Sequence, residues 1–180
     1  MKEFFVRAEE HVPCPCCFEG LKVIGSRPRK FITETGEKNI LIIRRLKCSN
    51  CKKIHHELPD MLIPYKRYDS ISIETVIDSA SKLVVAADES TIYRWKAWFN
   101  SLLSYLITCI QAILNQHNLN SVRPIGLRNL TPLQKLKSFT GDAVRWLARI
   151  VQPVVNSNLW VQTRSALMSW RQRCRLLVNN

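Results

Sequence analysis

Residues 14–17, CPCC, and residues 48–51, CSNC, decide how this chain folds. Each stretch holds a Cys-x-x-Cys pair, Cys14 with Cys17 and Cys48 with Cys51. Two residues between cysteines let one tight knuckle turn both thiolates toward a single ion. Two knuckles complete a tetrahedron with no open position. The 30 residues between the pairs suffice for a β-hairpin that brings the knuckles together. The spacing therefore predicts a zinc ribbon that holds one structural Zn2+ through Cys14, Cys17, Cys48 and Cys51. So small a β module would draw much of its folding free energy from the metal. Cys16, His55 and His56 lie near enough in sequence to compete as ligands, although the CPxC frame favours Cys14 and Cys17. A closed four-sulfur site has no room for water, so the zinc is expected to have no catalytic role.

Outward from the knuckles the chain reads as β. Leu21–Ile32 and Ile40–Cys48 are rich in Val, Ile, Phe and Leu, and TETGEKN between them is a turn centred on Gly36. A third short strand, Lys53–Leu58, follows the second knuckle, and residues 1–13 read as a lead-in strand or arm. Pro59, Pro64 and PYKRY mark a boundary near 59–70. Helical spacing begins after it, with Ile73, Val76, Ile77 and Ala80 in Ser72–Lys82. Asp88 or Ser90 can cap a second helix that runs to about His117, its apolar side carrying Ile92, Trp95, Phe99, Leu106 and Ile110. Arg123–Leu130 is a loop. Thr131, Pro132 and Gln134 form a capping-box start, and Gly141 is expected to end that helix. Asp142–Val151 should be stopped by Pro153, and Asn156-Ser157-Asn158 should cap a last helix from Leu159 to about Val178. The expected class is α+β: a zinc-ribbon β module over residues 1–62, a helix-turn-helix with an extended recognition helix over 63–118, and a C-terminal helical region over 119–180.

The formal net charge is +13 over 180 residues. Residues 1–89 contribute +2 and residues 90–180 contribute +11, with Asp142 the one acid in the second half. A field of that sign and size attracts phosphate backbone. Seven cysteines, an odd number with four in two pairs, argue for metal ligation in a reducing cytoplasm rather than a disulfide framework. The opening MKEFFVRAEE has scattered charges and no apolar leader. Trp98–Leu114 is apolar at the short end of a membrane-spanning length, but Asn100, Ser101, Ser104, Thr108 and Gln111 interrupt it, so a protein core is the expectation.

Ser72–Lys82 and Glu89–Phe99 have the outline of a helix-turn-helix, whose second helix puts its first residues on base edges. Those residues are Ser90, Thr91, Tyr93, Arg94 and Ala97. Arg94 suits guanine, Thr91 a thymine methyl or a phosphate, and Lys96 a phosphate. Arg44, Arg45, Lys66 and Arg67, with Arg27, Arg29 and Lys30, offer further cations on the ribbon and linker. The turn lacks the glycine often found there.

Through CPCC, GSRPR, RRLKCSNC, HHELPD, PYKRY and STIYRWKAWF, the chain resembles a family of small bacterial proteins of unknown function. These look like the zinc-ribbon and helix-turn-helix front ends of insertion-sequence transposases. The resemblance covers residues 13–100 and implies DNA binding with a mobile-element origin. A transposase core needs clustered carboxylates for two metal ions. Here only Asp142 follows Glu89, so that catalytic half is missing.

The expectation is a DNA-binding protein, a regulator or mobile-element accessory factor, with no enzymatic activity, small-molecule substrate or membrane partner. RNA is a variant of the same idea. A zinc-stabilised protein–protein adaptor or homo-oligomeric scaffold is the alternative, in which Trp146, Trp160 and Trp170 would suit an interface, although core packing explains these residues equally well. A thiol redox enzyme using Cys14 and Cys17, or a minimal nuclease, ranks third, because no nucleophile–base pair is visible.

Overall fold

The computed structural model describes residues 2–79, 85–118, 129–141, 144–161, 166–169 and 172–176. Its elements are β1 (Glu3–Ala8), β2 (Leu21–Ile32), β3 (Lys38–Cys48), β4 (Ile54–Pro59), α1 (Ser70–Asp78), α2 (Glu89–Gln116), α3 (Pro132–Ser138), α4 (Trp146–Asn156), β5 (Ala166–Ser169) and β6 (Gln172–Leu176). The class is α+β, as expected.

β2 and β3 form a long antiparallel hairpin, in register from Leu21 opposite Cys48 to Ile32 opposite Lys38, with a bulge at Gly25. The turn needs glycine at residue 36. Its φ is +84°, and a Cβ there would lie 2.9 Å from the Ala86 Cβ. Two strands share the other edge of β3. β1 runs parallel to its first residues (Phe4 opposite Leu41), and β4 runs antiparallel to its last (Leu46 opposite His55). β5 then extends the sheet beside β4, and β6 extends it beside β1. Strand twist on a shared edge makes this sheet curl.

One apolar cluster joins sheet and helices. It includes Val6, Leu41, Ile43 and Leu58 from the strands, and Ile73, Phe99, Leu106, Leu136 and Ile150 from the helices. The stretch expected to be a boundary runs through this core: Leu62 and Ile63 are fully buried, and Leu62 bridges Asp69. α2 is long and apolar enough, by length and composition, to cross a membrane. Here Trp95, Phe99, Leu106, Cys109 and Ile110 make its buried row, and Asn100, Ser101, Ser104, Thr108 and Gln111 are exposed. Asp88 caps α2 through the Thr91 amide, and the Thr131–Gln134 capping box starts α3, both as read from sequence.

Three expectations need correction. The helix over Leu159 to about Val178 is replaced by β5 and β6, so the region 119–180 holds strands as well as α3 and α4. A strand buried on both faces shows no alternation, and all four residues of β5 are buried, so periodicity could not reveal it. Second, Pro153 does not stop a helix but sits inside α4, which runs to Asn156. The burial of Ile150, Val151, Val154 and Val155 around it offsets the hydrogen bond a proline removes. Third, α3 ends at Ser138, before Gly141. Of the two readings of the tryptophans, Trp146 and Trp160 follow the core one, each 3% exposed. Asp142, Arg164, Trp170 and Arg171 lie outside the described residues.

α1 and α2 pack together, but residues 79–88 separate them. A compact helix-turn-helix joins its helices by a turn of about three or four residues.

Candidate metal centre and cationic cleft

The two knuckles are built alike. The Cys14 amide donates to the Glu19 carbonyl and the Cys48 amide to the Lys53 carbonyl, each five residues on. The residue after each second cysteine, Phe18 and Lys52, takes a left-handed conformation, with φ of 60° and 61°. This repeated loop turns each pair of sulfurs inward. The base of the β2–β3 hairpin then sets the loops face to face, through Leu21 opposite Cys48.

Cys14 Sγ lies 3.6 Å from Cys51 Sγ, and Cys17 Sγ lies 3.4 Å from Cys48 Sγ. All four sulfurs fall within 4.8 Å of one another. Zn–S bonds of about 2.3 Å in a tetrahedron require sulfur–sulfur edges of about 3.8 Å. The four cysteines therefore fit a metal such as zinc. Burial pushes the Cys14 thiol up to about 12, while the amides of Cys16 and Cys17 pull the other way. A cation is what makes a thiolate favourable in such a place.

The competing ligands are partly sorted. His55 is fully buried, with Nε2 3.4 Å from Cys14 Sγ, and Cys14, Cys16 and His55 form a second, overlapping group. Cys16 Sγ meets Lys53 Nζ at 3.5 Å and Asn158 Oδ1 at 3.6 Å. The two-knuckle set offers four sulfurs, against three ligands in the overlapping group. His56 points elsewhere, toward Arg27 Nη1 at 3.5 Å.

Beside the hairpin lies a cleft of about 570 Å³. Its cations are Arg27, Arg29, Lys30, Lys38, Lys66 and Arg67, and no carboxylate lines it. Among the described residues none of the six forms a salt bridge. Lys66 Nζ sits 3.9 Å from the centroid of the Trp98 ring, and burial lowers its pKa to about 8. Arg29 Nη2 donates to the Lys66 carbonyl at 2.9 Å, while its buried Nε finds no partner. Lys66 and Arg67 were named from sequence, and the fold brings them beside Arg27, Arg29 and Lys30. Lys38 adds to them: it follows the turn at the start of β3, where the hairpin places it opposite Ile32.

The other residues named as nucleic-acid contacts fall elsewhere. Arg44 holds Glu57 in a two-point ion pair at 2.6 and 2.7 Å, with Glu57 2% exposed. That guanidinium is engaged within the fold. Arg45 pairs across the sheet with His56. Ser90 and Thr91 both donate to the Asp88 carboxylate, and Arg94 folds back onto the Ser90 carbonyl and the Ser90 and Thr91 hydroxyls. Tyr93 (75% exposed), Lys96 and Ala97 remain open on the first turns of α2.

Both knuckles, the hairpin, the cleft, α1 and the start of α2 fall in one sequence unit. Residues 14–95 match a domain of unknown function, DUF6431. Every cleft cation and all four clustered cysteines lie inside the DUF6431 stretch. No curated protein and no solved structure matches the chain.

Proposed function

We propose that this protein binds nucleic acid through the cleft beside the β2–β3 hairpin, on a β module pinned by one structural zinc. The observation that carries this is six cations lining one cleft without a carboxylate. Isolated surface charges are usually interleaved with acids, and such a field suits a row of phosphates. The zinc closes the base of the hairpin whose far half supplies Arg27, Arg29, Lys30 and Lys38, so metal and cleft share one scaffold. Tyr93 and Lys96 on α2 extend the same reading. Arg94 ranks lower than the sequence suggested, because its Nε and Nη2 already have partners on its own helix. The zinc has no chemical role in this reading, and a mobile-element or regulatory setting is consistent with it.

A second reading, an assembly module, draws on Phe18, Val23, Ile24 and Ile54, large apolar residues exposed on the knuckle and nearby strands. One titration separates the two. Zinc-loaded protein is mixed with labelled nucleic acid at several salt concentrations, with light scattering in parallel. Nucleic-acid binding predicts affinity that falls steeply with salt, and a slope about one unit smaller for each of Arg27→Ala, Lys30→Ala and Arg67→Ala. Self-association indifferent to nucleic acid, with no salt-dependent binding, would refute the cleft and favour the assembly module.

A further inference from the structure

Tyr65 stands where the cationic cleft meets a smaller depression of about 90 Å³. Both cavities are bordered by Arg27, Arg29 and Tyr65. The smaller one is walled by Ile43, Leu58, Pro64 and Ala166, with His56 at its edge. A small recess with a mixed lining, apolar on one side and bearing Arg27, Arg29 and His56 on the other, therefore opens beside the cationic cleft.

The tyrosine is held there against backbone preference. The Lys66 amide donates to the Ile63 carbonyl, closing a four-residue turn with Pro64 second and Tyr65 third. Tyr65 has φ +65°, the left-handed value such a turn ordinarily gives to glycine or asparagine. Its ring is 66% exposed, so packing does not account for a bulky residue there. Arg29 fastens this turn to β2 through the Lys66 carbonyl. The result is an exposed aromatic face on a fastened turn, sharing its cavity lining with the Arg27 and Arg29 guanidinium groups.

We infer that the cleft takes an unpaired nucleic-acid strand, one base stacking on Tyr65 while its phosphates lie along Arg27, Lys30 and Arg67. This rests on the nucleic-acid reading above and narrows its substrate. Aromatic faces combined with a cationic trough are how single strands are held without sequence readout. A duplex keeps its base faces stacked inside and can use only the cations.

The test uses the zinc-loaded full chain, short labelled oligo-dT and oligo-U strands, and a DNA duplex, with wild type, Tyr65→Gly, Tyr65→Asn and Tyr65→Phe. Glycine and asparagine tolerate the left-handed turn, so both variants should melt no lower than wild type. Strand affinity should fall about 5- to 100-fold in Tyr65→Gly and Tyr65→Asn, stay near wild type in Tyr65→Phe, and leave duplex binding unchanged. A preference for oligo-dT or for oligo-U reports the sugar and the base 5-methyl together, and either supports the inference. Equal binding of strand and duplex, insensitive to residue 65, overturns the inference and leaves the nucleic-acid reading standing. Failure to bind any of the three overturns both.

Discussion

Glu74 shows how one residue can carry a distant element. α4 begins without a side-chain cap of its own, at Arg145 in a left-handed conformation. The Glu74 carboxylate on α1 accepts the Leu147 amide at 3.2 Å and supplies that cap from outside. The side chain is buried, and burial pushes its pKa up to about 7 despite the amides of Leu147, Ala148 and Arg145. A folded-state value above the unfolded one means stability is fully present below the unfolded value near 4.5 and declines as pH rises toward 7. The decline reaches at most about 1.4 kcal/mol per pH unit. Glu74→Gln should therefore flatten thermal stability between pH 5 and 7 relative to wild type, and parallel melting-temperature profiles would refute the assignment. His55 and His56, whose pKa values burial lowers, act in the opposite sense in both proteins and so drop out of that comparison. At this scale the sequence was legible where chemistry is local: Cys14, Cys17, Cys48 and Cys51 announce themselves by spacing. The Glu74 cap was not legible, because its partner lies 73 residues away. Nor was the engagement of Arg44 by Glu57, since a cation looks the same in sequence whether paired or open.

Among elements, the hairpin and the helix starts were readable, because turn and cap chemistry sits within a few residues. β2 ran from Leu21 to Ile32 as expected, and the Thr131 capping box formed. Thr131→Ala should cost about 1 kcal/mol, visible as a lower denaturant midpoint with an unchanged slope. A loss beyond about 2 kcal/mol would show that Thr131 does more than cap α3. β5 and β6 escaped detection because their partners, β4 and β1, are contributed by the other end of the chain. α4 outlasted Pro153 because its neighbours are buried on several sides, a condition composition does not disclose. Among the described residues β3 is the one named strand that pairs with β2, whose far end also bridges Tyr68 through Ile32, so Pro28, Lys22 and Lys30 also discourage a second sheet from adding at the rest of that edge. This gives Lys30 of the cleft a second use, and it is why salt slope rather than simple loss of solubility is the informative readout.

For the molecule as a whole, the metal centre and the helices act on one core. The cluster that includes Leu41 and Ile43 of β3 also includes Phe99 and Ile150. Adding zinc to metal-free protein should raise the melting temperature of a single transition, by a stabilisation of about 2.7 kcal/mol when free zinc is 100-fold above its Kd. Two separate transitions, one zinc-sensitive and one not, would contradict the shared core. The charge asymmetry read from sequence did not locate the cleft, whose cations come from the less basic half. Folding, not composition, concentrates them. The pairing of β1 with β6 has a consequence for synthesis. On the ribosome the first strand emerges early and finds β3 soon after, but its outer edge stays bare until residues 172–176 have been translated. This edge is therefore closed late in synthesis, and a nascent chain stalled before that point presents an open ladder to its neighbours.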